Sequence, residues 1–505
     1  MVFHGRVTLN VWMTRHTSEP FSKDDFDRLA AVCRDALQTA RSADEVALSH
    51  LHLRNHHPEH LSSYGNLAGE AASASGWVRK VLRQAALPIL GAIKRPRWWV
   101  GDALPKQTDI LFLSHFNTIA QCKSAGDVYF GGIPKQVQES LGRSALIASI
   151  DHTWLGQAKI LNEWIGDTVP RVVLSRLSNS SQELGFARRL RSAARSKAYP
   201  SNPIGRGLQR LISRDPITGP ALTALRTGAQ VEQLVRVLKP KLVIATYEGH
   251  PWERLAFQSA RKAKPDIVCV GYHHTMLVPG TSCAGWGVGS DFNPDVIMTS
   301  GDLAKTWFKQ QPDLNGVSIQ TLGSIKALTR EGAGEPVPAG QSCLVAPEGI
   351  LSETLLLLGL AFRTAKRLPG QKFVIRLHPV LGRKTVERAL RTSAPRPTNV
   401  QWSNESLDHD LEHASSLLYR GSSVVFNAVR AGVRPIYFAS DRSSFSIDPM
   451  DPIEQGWRRT VASDEDLADV LSGPLGKVGW DACKAHSAAN FAPVNLRPLV
   501  SLFPD

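Results

Sequence analysis

Apolar residues along this chain fall in two recurring patterns. Short continuous apolar runs alternate with longer stretches in which apolar residues return every three or four positions. From Thr108 the runs are Asp109–Ser114 (DILFLS), Ala145–Ile150, Arg171–Leu174, Lys241–Thr246, Asp266–Gly271 and Asp295–Thr299. Helical periodicity falls between them at Pro134–Leu141, Gln182–Ala198, Ala221–Leu238, Pro251–Ala263 and Gly301–Phe308. Pro240 and Pro265 end the preceding helices before two of the strands. After a Gly/Pro/Glu stretch at Arg330–Gly340 the alternation resumes. Strands are expected at Ser342–Pro347, Lys372–Leu377, Val400–Trp402, Ser416–Tyr419 and Arg434–Phe438, and helices at Ser352–Leu368, Lys384–Arg391, Leu407–His413 and Ser423–Ala431. Strands alternating with helices imply a parallel sheet covered on both faces, here twice over.

The expected organisation is α/β, with two doubly wound Rossmann-like domains facing a central cleft. Residues 1–105 form an irregular N-terminal arm, 106–329 the first domain, 330–340 the linker, 341–475 the second domain and 476–505 a helical C-terminal tail. Open α/β sheets bind ligands in the loops just past the carboxyl ends of their strands, so those loops hold the candidate chemistry.

Composition narrows the class. A chain of 505 residues with 42% hydrophobic and 21% charged residues is ordinary globular material, not a disordered or coiled-coil protein. Its six cysteines include no CxxC pair, which disfavours a disulfide scaffold and a usual zinc site. The net charge is +14, and nearly all of it sits in two segments. Residues 76–98 hold six Lys/Arg and no acid; residues 183–214 hold eight Lys/Arg and only Glu183. The first interleaves cations with apolar residues and with Trp77 and Trp98, a pattern that can lie on an anionic membrane surface. Its apolar run is too short to span one. The plain alternative is a solvated helix packed on its own domain. The second segment reads as a solvated helix followed by a Pro/Gly loop, or as an electrostatic surface for an anionic acceptor. The N-terminus lacks an apolar signal core, and with the unpaired cysteines this reads as a cytoplasmic chain, peripheral to the inner membrane face if the basic segment docks. A His-rich stretch, His50 to His60, stands without a second ligand cluster, so no metal is expected.

The polar strand-end loops are distinctive. In the second half, Arg376-Leu-His378-Pro379 ends a strand, and the proline turns the imidazole out of the sheet. Tyr419-Arg420-Gly421-Ser422-Ser423 reads as strand, tight turn and helix start, where backbone N–H groups favour an anion unless Ser422 is a plain N-cap. The loop Ala346-Pro-Glu348-Gly follows the first strand and can meet a nucleobase or ribose. No GxGxxG or GxxxxGK[ST] occurs, which disfavours a dinucleotide dehydrogenase and a P-loop ATPase. In the first half, Thr246-Tyr247-Glu248-Gly-His-Pro-Trp-Glu253-Arg254 follows a strand. Glu248 can act there as a general base, with Asp151 the rival. His273 and His274 end the next strand, and Asp127-Val-Tyr-Phe-Gly131-Gly132 offers an acceptor-facing loop. His274 is an acid/base candidate, while Tyr247, His273, Gly131 and Gly132 are placed on the acceptor side.

Together these motifs resemble the bacterial GT-B glycosyltransferases of surface-carbohydrate biosynthesis, and most nearly the sialyl- and Kdo-transferase group that uses CMP-activated sugars. His378-Pro379 and Ser422-Ser423 match that group's phosphate-holding motifs, and Glu248-Gly249 its acid-before-glycine base. Tyr247 stands where the group carries a second acid. The resemblance covers roughly residues 108–450. It implies a metal-independent transferase with no cofactor beyond its nucleotide-sugar donor, acting on a glycan or lipid-linked glycan. Arg376, His378, Pro379, Arg420, Gly421, Ser422, Ser423 and Glu348 would bind the donor, and Glu248, His274 or Asp151 would serve catalysis. A GT-B-fold sugar-nucleotide epimerase is the rival enzyme, and a basic scaffold protein of a polysaccharide assembly complex the rival from another class. No nucleic-acid partner is expected, because the cations do not accompany a known nucleic-acid-binding motif.

Overall fold

The computed structural model describes residues 23–53, 97–124, 126–153, 155–217, 219–278, 280–327, 342–390, 395–440, 446–474 and 476–503. The basic segment 76–98 except Arg97 and Trp98, the His-rich stretch beyond Leu53, and the linker 330–340 lie outside them. The chain divides into a larger unit, Asp25–Glu331 with Ala485–Asp505, and a smaller one built from Gly332–Lys484.

The larger unit opens with α1 (Lys23–Gln38) and α2 (Ala43–Val46), so the stretch expected to be irregular holds a 16-residue helix. Its apolar positions Phe26, Leu29, Cys33, Ala36 and Leu37 are buried. The strands are β1 (Trp99–Gly101), β2 (Ile110–Phe116), β3 (Ala145–Asp151), β4 (Arg171–Leu174), β5 (Leu242–Thr246), β6 (Val268–His273), β7 (Val296–Thr299) and β8 (Ser318–Thr321). The helices are α3 (Ile133–Leu141), α4 (Gln157–Glu163), α5 (Ser180–Ser196), α6 (Pro203–Ile212), α7 (Gly219–Leu238), α8 (Pro251–Ala263) and α9 (Asp302–Lys309). Residues 203–212, expected as a loop, form a helix because Asn202 caps it and Pro203 supplies a preset φ at its start.

The eight strands run in the order β1-β4-β3-β2-β5-β6-β7-β8. All neighbours are parallel except β1, which pairs antiparallel with β4. Strands β2 to β5 and β7 are buried at every position, as expected for strands covered on both faces. The exception is His115 of β2, which is half-buried. Leu499 of the C-terminal segment joins the core formed by Ile110, Phe112, Ile147, Ile244 and Val270.

The smaller unit has β9 (Ser342–Pro347), α10 (Leu351–Arg367), β10 (Phe373–Ile375), α11 (Arg383–Leu390), β11 (Val400–Trp402), α12 (Leu407–Glu412), β12 (Ala414–Arg420), α13 (Val424–Arg430), β13 (Arg434–Phe438), β14 (Arg459–Val461) and α14 (Asp464–Ser472). Helices α15 (Trp480–Asn490) and α16 (Arg497–Val500) follow. The sheet order is β11-β10-β9-β12-β13-β14, parallel throughout. Both sheets therefore contain the doubly wound order 3-2-1-4-5-6. The winding reverses between β2 and β5 in the larger unit and between β9 and β12 in the smaller. That reversal leaves a crevice past the strand ends, where such sheets take ligands.

Candidate functional site

At the reversal point of the larger unit, β2 ends at Phe116 and β5 at Thr246. His115 bridges the two: its Nε2 lies 3.1 Å from Thr246 Oγ1 and its Nδ1 2.8 Å from His152 Nε2. The rings of Tyr129 and Trp252 meet His115 edge-on at 5.1 Å. Motif reading missed His115 and gave His152, Tyr129 and Trp252, though inside or beside its motifs, no place in the site. A histidine at the carboxyl end of the first strand was the available signal, but the strand runs two residues past its expected end at Ser114.

The loop after β5 is held rigidly. Glu253, fully buried on α8, accepts the backbone N–H of Glu248 at 3.0 and 3.1 Å, of Gly249 at 2.8 Å and of His250 at 2.8 Å. These include donors that a helix start leaves unpaired. Burial and the nearby Glu248 carboxylate push the Glu253 pKa well up, while the backbone donors and Arg254 oppose them. Arg254 is also fully buried and donates to the carbonyls of Cys283 (2.8 Å) and Trp286 (2.9 Å), fixing the loop packed over Gly249. Gly249 has φ +83°, and a Cβ there would lie 2.5 Å from the Ala284 nitrogen, so only glycine fits. The Gly249 carbonyl faces His52 Nδ1 at 2.9 Å. Out of this clamp the half-buried Glu248 side chain projects, with Oε2 3.1 Å from His250 Nε2.

The flanking residues divide. His274 is buried, packs edge-on against Tyr129 at 5.0 Å and has no partner for Nδ1 among the described residues. Burial pushes its pKa down to about 4, with Glu248 opposing. Asp151 ends β3 and accepts both the amide and the hydroxyl of Thr153 at 2.7 Å; burial raises its pKa. Gly131 has φ +55° and pairs with Asp127 across a tight turn, and Gly132 caps α3. Two acceptor-side expectations are corrected. Tyr247 is fully buried beside Phe257 and Phe308. His273 is buried edge-on against Phe308, its pKa lowered to about 4 by burial. Both side chains turn into the core.

In the smaller unit, Arg420 pairs in register with Pro347 at the ends of β12 and β9. Gly421 has φ +67°, and a Cβ there would lie 3.0 Å from Glu348 Oε2, so the two loops lie against each other. On the neighbouring loop, His378 Nδ1 accepts the Val380 N–H at 3.3 Å, which leaves the proton of a neutral ring on Nε2. Pro379 lies exposed beside it. Ser422 Oγ accepts the Val424 amide only at 3.4 Å, and Ser423 makes no side-chain cap, so capping does not account for the serine pair. Arg420 is corrected: β12 runs to residue 420 and buries its side chain, which donates to Glu353 and, at 2.9 Å, to the Phe438 carbonyl. Arg376 is part-exposed and engaged through Nη1 by Asp410 (2.9 Å) and the Glu405 carbonyl (2.7 Å). Arg420 thus holds the scaffold.

No family model and no curated protein matches this chain. Among solved structures, it is similar in backbone to the glycotransferase of kitacinnamycin, at 12% identity over 79% of this chain and 100% of that one, with a TM-score of 0.43. UDP-GlcNAc 2-epimerase from Neisseria meningitidis, bound to UDP-GlcNAc, matches at 10% identity over 76% and 94%, TM-score 0.43. CalG4, the calicheamicin glycosyltransferase, matches at 13% over 76% and 95%, TM-score 0.42. Among the described residues, no helix is long and apolar enough to cross a membrane.

Proposed function

We propose that this chain is a glycosyltransferase of the GT-B class that moves a sugar from a nucleotide-activated donor, best matched by a CMP-linked acidic sugar, to a glycan or lipid-linked glycan acceptor. The observation that carries the reading is the Glu248 loop: a carboxylate at the reversal point of one sheet, clamped through its backbone by a buried carboxylate and held at its tip by an imidazole. A general base must first be placed within hydrogen-bond reach of the proton it takes. Glu248 takes the acceptor hydroxyl proton as the oxygen attacks the anomeric carbon. The sugar–phosphate bond breaks, and the nucleotide departs with its electron pair.

The donor belongs to the reversal point of the smaller unit. His378 Nε2–H and the Ser422 and Ser423 hydroxyls donate to the departing phosphate, charge stabilisation by groups already in place. Glu348 beside Gly421 suits ribose hydroxyls, since a carboxylate accepts from them and repels phosphate. The reading requires no metal.

A thermal-shift screen of CMP, CDP, UDP and GDP tests it. A ligand at about 100 times its Kd adds about 2.7 kcal/mol of stability. Cytidine nucleotides are expected to stabilise the chain, and His378→Ala to remove the shift. Glu248→Gln is expected to bind nucleotide and transfer no sugar. Stabilisation by UDP or GDP alone overturns the CMP assignment, and no response to any nucleotide overturns the whole reading. Donor turnover without any acceptor replaces it with an epimerase.

A further inference from the structure

In the smaller unit, α12 and the residue after it expose His409, Glu412 and His413. Positions i, i+3 and i+4 lie on one helical face. One ligand atom from each lies within 4.8 Å of the other two, and the imidazole rings are 4.3 Å apart, tilted by 33°. The backbone beneath them is anchored at three points. Ser406 Oγ accepts the His409 N–H at 3.1 Å. Asp410, buried on the inner face, takes the Ser403 hydroxyl at 2.7 Å and Arg376 at 2.9 Å. The His413 carbonyl accepts the Ser342 hydroxyl at 2.7 Å.

The ring of His413 is also oriented. Its Nδ1 lies 2.8 Å from the His409 carbonyl, an acceptor, so Nδ1 carries the proton and Nε2 presents its lone pair. This is the outer bond that typically aims a metal-ligating imidazole. Neither ring nitrogen of His409 is hydrogen-bonded among the described residues. The carbonyl end of a helix adds partial negative charge where a cation would sit. Two imidazoles and one carboxylate form a donor set for Zn²⁺, whereas Ca²⁺ and Mg²⁺ take oxygen ligands.

We propose that His409, Glu412 and His413 bind one Zn²⁺, with water completing a tetrahedral shell. His413 directly precedes β12, whereas the donor loops follow the strand ends. The site is therefore separate from the transfer chemistry and fastens α12 to the start of β12.

The test is calorimetric titration of ZnCl2 into chelator-stripped full-length chain, with thermal melts in parallel and circular dichroism to confirm that each variant folds. One equivalent is expected to bind at α12 and raise the Tm. H409A and H413A should each remove that equivalent and its Tm rise. E412Q should weaken it at least 10-fold, in line with the 10–100-fold cost of losing even an outer-shell partner. A variant lacking His56, His57 and His60 should keep it. Absence of micromolar Zn²⁺ binding, or binding and melting unchanged in both H409A and H413A, overturns the site.

Discussion

The Glu253 clamp makes a quantitative prediction. In Glu253→Gln the side chain keeps its shape and loses one acceptor. At a pH above the raised Glu253 pKa, the amide oxygen placed best replaces Oε2 and keeps the Gly249 and His250 donors, now as neutral hydrogen bonds. Hydrogen bonds to charged groups contribute about 1.5–3 kcal/mol and neutral ones about 0.5–1.5, so each retained bond weakens by about 1 kcal/mol. The amide NH2 then takes the place of Oε1 and meets the Glu248 N–H, which keeps only its 3.1 Å contact to the oxygen at the Oε2 position. The buried amide NH2, left against a donor, costs a further 1–3 kcal/mol or so. Relief from burying a carboxylate returns part of this, leaving a net loss of roughly 2 kcal/mol. Urea unfolding followed by circular dichroism reads the stability change. Transfer kinetics read the consequence at Glu248, where kcat should fall with the donor KM unchanged. A variant within about 0.5 kcal/mol of the parent, the ordinary range of an inconsequential surface change, with unaltered kcat, refutes the clamp.

Two further outcomes follow. Gly421→Ala forces a side chain into the left-handed region, at about 1–2 kcal/mol, and drives its Cβ against Glu348; nucleotide affinity should fall in isothermal titration, and unchanged affinity would separate that turn from the donor. His273 and His274, with pKa values near 4 against about 6.5 when unfolded, bind protons in the unfolded chain first. Their neutral burial is without penalty above pH 6.5 and costs about 2 kcal/mol each by pH 5, so urea midpoints should drop between pH 6.5 and 4; a flat profile there would be incompatible with the buried neutral pair.

The basic segment 183–214 was readable as one helix and a loop, with two meanings open for its charge. In the structure it is α5 and α6, with Arg188, Arg191, Arg195, Arg206, Arg210 and Arg214 exposed and Glu183 buried against Arg226 at 2.8 Å. Its arginines thus face solvent on both helices, and the lone acid is the interior anchor of α5.

The sequence by itself determined the alternation of strands and helices, because apolar periodicity follows from which faces must be covered. It also determined which loops hold polar residues, because proline and glycine mark where strands stop. Strand order was left to the tertiary structure: pairing joins segments far apart in sequence, and only pairing sets β2 beside β5 and β9 beside β12. Side-chain direction at a strand end was left to it as well. Successive residues point to opposite faces, so one residue of extra strand decides between crevice and core. Glu248 and His378 emerge on the open loops, while Tyr247, His273 and Arg420, equally polar and equally near their strand ends, are drawn into the packed interior.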